Sequence, residues 1–172
     1  EKVMHKRIDP RAKIQVIAKG LPASPGAATG EVVFEAKRAH DLAKQERRVI
    51  LVRPETSPED IEGMHASQGI LTSRGGMTSH AAIVARGMGK CCIVGCEHLR
   101  ISEEKREFRA GHHVVKEGEV ITIDGGTGEV IIGEVHHSIK RSALQQTCTK
   151  NTIVAGSTVR RPFLRTKRYK RS

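Results

Sequence analysis

The 172-residue sequence predicts an α/β fold, a sheet with helices packed on it, on three observations. Compact apolar runs, "RVILVR" (48–53), "GILT" (69–72) and "CCIVGC" (91–96), are bounded by Pro, Gly or polar residues and read as buried strands. Helix-start signals lie between these runs. A later segment, "HHVVKEGEVITIDGGTGEVIIGEV" (112–135), alternates apolar and polar residues around Gly118 and around Gly125, Gly126 and Gly128, which predicts two β-hairpins. Strand, helix, strand, helix, strand and then hairpins is the order expected of a small sheet with short helices and C-terminal hairpins.

Taken in chain order, residues 1–18 are polar and irregular, with Pro10 after Asp9, and read as a linker. "GLPASPGAATGEVVF" (20–34) is a loop that feeds a strand at 31–34, and a short polar helix follows at about 36–46. The run at 48–53 is stopped by Pro54. Beyond it, Ser57 is a natural N-cap, Pro58 fits the first helical position, and Glu59, Asp60 and Glu62 suit the positive end of the helix dipole. "SHAAIVAR" (79–86) reads as the next helix, with Gly87 placed to end it.

Composition narrows the function classes. Aromatic residues make up 2% of the chain, so the core must be built from Val, Ile, Leu, Met and Ala. The formal net charge is +11, but residues 1–135 hold 20 Lys/Arg against 19 Asp/Glu, and the other 10 basic residues lie in 136–172 without any acid. The basic signal therefore belongs to a tail, which has no clear period and reads as disordered. Cys91, Cys92, Cys96 and Cys148 follow no repeated spacing, which suits reduced thiols in an intracellular protein, cytoplasmic in the first instance. No apolar run approaches the roughly 18 residues that cross a bilayer, so no membrane partner is expected. The chain starts at Glu1 rather than Met, which points to a fragment.

Candidate chemistry concentrates at "SRGGMTSHAAIVARGMG" (73–89). Thr78 or Ser79 can cap the helix, which sets His80 in the first turn, where amides lack partners and the dipole favours an anion. Gly75 and Gly76 permit close backbone approach, and Ala81, Ala82 and Ala85 would leave room around the ring. Such an address suits a histidine nucleophile that handles phosphate. A capping or surface histidine is the plainer reading of the same spacing.

Gly-Gly-Met-Thr-Ser-His-Ala-Ala-Ile-Val-Ala-Arg (75–86) resembles, over its whole length, the phosphohistidine signature of the phosphoenolpyruvate (PEP)-utilising enzymes. With Met77 and the segments "RPETSPEDIEGM" (53–64) and "GLPASPGAATGEVVF" (20–34), the chain is most similar to the pyruvate, phosphate dikinases. PEP synthase and enzyme I of the sugar phosphotransferase system, the alternatives within the group, usually carry Arg at the place of Met77. The resemblance covers about 20–135. It implies a swivelling β/β/α domain at 19–135, between the 1–18 linker and a 136–172 tail unlike the family.

The same resemblance implies that His80 forms a tele-phosphohistidine intermediate, with Gly75, Gly76, Thr78 and Ser79 supporting the phosphate and the loop. The complete enzyme interconverts ATP, phosphate and pyruvate with AMP, diphosphate and PEP. Its partner domains, a nucleotide-binding ATP-grasp domain and a PEP/pyruvate-binding barrel, are absent here. Magnesium serves the complete enzyme and no cofactor is expected on this chain. Thr78 matches a threonine that is phosphorylated for regulation in plant members, and plastid and microbody are further compartments of the family.

Other features mean less. "GMGK" (87–90) is no P-loop, because Val84 stands where the first glycine is needed and Cys91 where Ser or Thr is needed. His112-His113 and His136-His137 lack further ligands at familiar spacing, so no metal site is expected. Arg86 is expected to make a salt bridge on the far side of the helix, and Cys96 to be exposed enough to oxidise. The rival function from another class is a non-catalytic module that binds acidic partners or RNA through the basic tail. Nucleic acid is the weaker choice, since Phe163 and Tyr169 are the tail's only aromatic residues.

Overall fold

The computed structural model describes residues 7–8, 15–135 and 137–138. Along the chain these form β1 (Arg7–Ile8), β2 (Val16–Lys19), β3 (Leu21–Ser24), β4 (Ala27–Val33), α1 (Ala36–Lys44), β5 (Val49–Arg53), a 3-10 turn (Pro58–Asp60), α2 (Ile61–Ala66), β6 (Gly69–Thr72) and α3 (His80–Met88). There follow β7 (Cys91–Val94), β8 (Leu99–Ser102), β9 (Glu107–Ala110), β10 (His113–Lys116), β11 (Val120–Asp124), β12 (Glu129–Ile132) and β13 (His137–Ser138). Apart from β13, the basic tail lies outside the described residues.

Eight strands form the main sheet in the order β2-β12-β11-β4-β5-β6-β7-β3. The centre, β4 to β7, is parallel, and the strands beyond it on both sides are antiparallel. Although β2 and β3 stand at opposite edges, only Gly20 separates them in the chain, so the sheet must curl until its edges meet. Hydrogen bonds from Gly20 N to Gly128 O (2.8 Å) and from Gly125 N to Gly26 O (2.7 Å) extend the β2–β12 and β4–β11 ladders by one residue each.

Period-two alternation explains why the parallel strands are apolar throughout. Val32, Ile50, Val52, Leu71 and Ile93 point into one core with Ile121, Ile123 and Val130, and a three-stranded antiparallel sheet, β10-β9-β8, adds Leu99, Phe108 and Val115 to it. Val33, Val49, Leu51, Ile70, Cys92 and Val94 point the other way, against Ala39 of α1, Met64 of α2 and Ala81, Ala82 and Ala85 of α3. Small sheet, large sheet and helices thus stack as β/β/α.

Several expectations are corrected. Val16–Lys19 is not linker but an edge strand paired with β12. The strand expected at 31–34 begins at Ala27, and its Ala-Ala-Thr-Gly start is small because β4 runs between two neighbours: a methyl group on Gly30 would come 2.7 Å from Arg48 O. The first of the two hairpins does not form across Gly118. β10 pairs instead with β9 in the small sheet, while Gly118 N bonds Val32 O (3.0 Å) and sends the chain back into the large sheet. Gly87 stays helical, and α3 ends at Gly89, whose left-handed φ of 65° lets its amide reach Ala85 O and Arg86 O.

Candidate functional site

Adjacent parallel strands β5 and β6 end side by side, Arg53 opposite Thr72, and the loops that leave them build the site. Crevices at the carboxyl ends of parallel strands are where α/β sheets place ligands. Ser73 N bonds Arg53 O (3.3 Å) and Arg74 N bonds Pro54 O (2.9 Å), so the two loops are stitched together at their roots.

The β6 loop leads into α3 with His80 as its first residue. Ser79 is the N-cap: its backbone is extended and its Oγ accepts from Ala82 N at 3.4 Å. The cap leaves the amides of His80 and Ala81 without an acceptor among the described residues. Gly75 turns the loop at a φ of +99°, and a methyl group there would lie 3.0 Å from Ser79 Cβ. A methyl group on Gly76 would meet nothing within 4 Å. The glycine required by this chain's own geometry is therefore Gly75, while the space at Gly76 is open. Thr78 is exposed and Ser79 and His80 are half-buried.

The β5 loop supplies Thr56, which the sequence reading assigns no role. Buried to 6% exposure, its Oγ1 lies 3.2 Å from His80 Nδ1. The loop is held by a capping box in which Ser57 N bonds Asp60 Oδ2 at 2.9 Å, and Asp60 in turn pairs with Arg53 Nε at 3.6 Å. Thr56 orients the imidazole and leaves Nε2 as the ring nitrogen toward which nothing among the described residues is bonded. The one signal in the sequence was a Thr between Pro54 and Pro58, just past the end of an apolar run.

Residues 45–128 match the family model described as PEP-utilising enzyme, mobile domain. Over 135 residues the chain is 54% identical to a pyruvate, phosphate dikinase of Rhizobium meliloti, covering 78% of this chain and 15% of that one. It is 59% identical over 122 residues to pyruvate, phosphate dikinase 2 of Zea mays, covering 71% and 14%. The chain carries a PEP-utilising mobile domain. It spans about a seventh of the length of the curated relatives it matches. Among solved structures, an NMR structure of an enzyme I protein is 27% identical with a TM-score of 0.38, over 54% of this chain and 34% of that one.

Within the mobile domain, Ala81, Ala82 and Ala85 do not line the ring as expected but lie buried against the sheet, on the face of α3 turned from His80. Arg86 makes no salt bridge among the described residues. It curls back to donate from Nε to Ala82 O (3.0 Å) and from its terminal nitrogen to Met77 O. Cys96 is not exposed: like Cys92 it is fully buried, and burial pushes Cys91 and Cys92 up to about 12 and Cys96 up to about 11. No three His, Cys, Asp or Glu side chains converge as a metal set among the described residues. None of the described helices is long and apolar enough to cross a membrane.

Proposed function

We propose that His80 carries a phosphoryl group on Nε2 between two other domains of a pyruvate, phosphate dikinase. The observation that supports this most is the Thr56–His80 Nδ1 contact of 3.2 Å. With the proton on Nδ1 and Thr56 Oγ1 accepting it, the lone pair sits on Nε2. That lone pair attacks phosphorus, and the bond from phosphorus to the donor oxygen breaks with its electrons leaving on that oxygen. On the return step an enolate oxygen of pyruvate attacks the same phosphorus, and the P–N electrons go back to Nε2. Imidazole is both a fair nucleophile and a fair leaving group, so the step runs in both directions.

The open amides at the start of α3 and the positive end of its dipole support the phosphoryl oxygens, a contribution of about 0.3–1 kcal/mol from the dipole alone. Gly76 leaves room for the donor, Gly75 sets the turn, and Ser79 holds the helix start. Phosphate on Thr78, two residues before His80, would repel the incoming phosphoryl group and so block His80; unit charges about 4 Å apart at an effective dielectric near 20 interact by about 4 kcal/mol. The nucleotide-binding and PEP/pyruvate-binding domains and their magnesium lie in the longer protein. An intracellular compartment, cytoplasm or plastid, fits relatives that include a chloroplastic form.

The test is incubation of the chain with labelled PEP, magnesium and a relative whose own carrier histidine is replaced. Acid-labile, alkali-stable label on this chain that vanishes in His80→Ala is the expected result. Equal label in His80→Ala would overturn the reading.

A further inference from the structure

We propose that Arg86 is a positioning residue for His80: it pins the Met77 carbonyl so that the Thr78 amide faces the incoming phosphoryl group. The inference rests on the carrier reading given above. Helix α3 has two polar side chains, His80 and Arg86, and six residues of helix put them on different sides, so Arg86 cannot touch the ring. Its side chain runs back toward the helix start, as long helical side chains do. There the guanidinium spans two carbonyls, Ala82 O at 3.0 Å and Met77 O.

This is the wrong end of a helix for a cation. The dipole favours Lys and Arg among the last carbonyls and disfavours them near the first turn. Arg86 is nevertheless drawn to the first turn, without a carboxylate partner among the described residues. The gain must come from the loop. Arg74 O accepts from Thr72 Oγ1 (2.7 Å) and from Gly95 N beyond β7 (3.4 Å), and Gly76 O from Ser79 N (3.0 Å), so none of those carbonyls is held from α3 proper. Met77 O is held from α3, by Arg86.

In a trans peptide the carbonyl and the next amide point in opposite directions, and no peptide bond among the described residues is cis. With its oxygen turned to Arg86, the 77–78 peptide sends the Thr78 amide to the other side. Met77, Thr78, His80 and Ala81 amides then all lack an acceptor among the described residues, as a run of donors disposed to receive an anion does. Freed from Arg86, the same peptide can turn over and present an oxygen to the phosphoryl group instead.

The test compares the 172-residue chain with Arg86→Met and Arg86→Lys, using phosphoramidate, a small donor that needs no docked domain. Phospho-His80 formation is followed by phosphorus NMR, the Thr78 amide by nitrogen-proton correlation, and α3 by hydrogen exchange. Arg86→Met should slow phosphorylation by roughly tenfold or more, as loss of an oriented donor does, shift the Thr78 amide and leave α3 protected; Arg86→Lys should recover part of the rate. Parental rates in Arg86→Met would overturn the inference and leave the carrier reading intact. A slow rate with α3 unprotected and Lys no better than Met reduces Arg86 to a helix stabiliser and overturns it too. A parent chain that takes no phosphoryl group at His80 overturns the carrier reading, and this inference with it.

Discussion

Gly75 and Gly76 precede α3, and Gly125 and Gly126 turn the chain from β11 to β12. A methyl group at Gly125 would stand 2.0 Å from Ser24 O, while one at Gly76 would meet nothing within 4 Å. The first of these turns is where the curled sheet closes on itself, and backbone presses on backbone there. The second faces outward beside His80. Glycines thus serve two ends: at the closure Gly125 lets the chain pack against itself, and at the site Gly76 leaves space for another molecule.

The closure breaks most easily. Gly125→Val should cost on the order of 3 kcal/mol or more in urea unfolding, since backbone has to move. A variant as stable as the parent would mean that the β11–β12 turn does not pack against Ser24. The closure also has a pH signature, because Cys91 packs there, its Sγ 3.2 Å from Gly26 O. Its thiol is raised to about 12 in the fold. In the alkaline range the unfolded chain loses that proton first. Stability held below the ordinary thiol range near 9 should therefore fall as pH rises toward 12, by about 1.4 kcal/mol per pH unit for each such thiol. Alkaline unfolding of Cys91→Ala against the parent checks the slope.

At the site the effects move from stability to rate. Thr56→Val should cut phosphorylation of His80 roughly tenfold to a hundredfold by loosening the ring, while unfolding changes by about 1 kcal/mol. An unchanged rate would remove Thr56 from the mechanism. Smallest is the contrast between the loop's own two glycines. Gly75→Ala should cost about 1–2 kcal/mol for its left-handed backbone, and Gly76→Ala less than about 0.5 kcal/mol. Equal costs would show that the loop is not turned at Gly75.

Local signals were legible in the sequence and non-local ones were not. β5, β6 and β7 announce themselves as apolar runs, and Ser57 and Ser79 as caps, because burial on both faces and helix starts are written in neighbouring residues. β2, β8 and β9 are short and partly exposed; β2 pairs with the distant β12, while β8 and β9 pair with consecutive strands but are too brief for their alternation to stand out. The small residues that open β4 mimic a loop for the same reason that they are needed, since crowding by β5 is invisible along one strand. His80 and its cap were legible from eight or nine residues, but Thr56 stands 24 residues away and meets it through the parallel register of β5 and β6. Arg86 was visible as a residue, while the direction of its side chain was not.

The measurement nearest the centre of the mechanism is the identity of the phosphorylated atom. Nitrogen-phosphorus coupling in labelled histidine, recorded after transfer from PEP, reports which ring nitrogen of which residue carries the group. Phosphate on Nε2 of His80, with Nδ1 keeping its proton, is the expected result. Phosphate on Nδ1, or on any other residue, would contradict the role assigned to Thr56 and to the loop before α3.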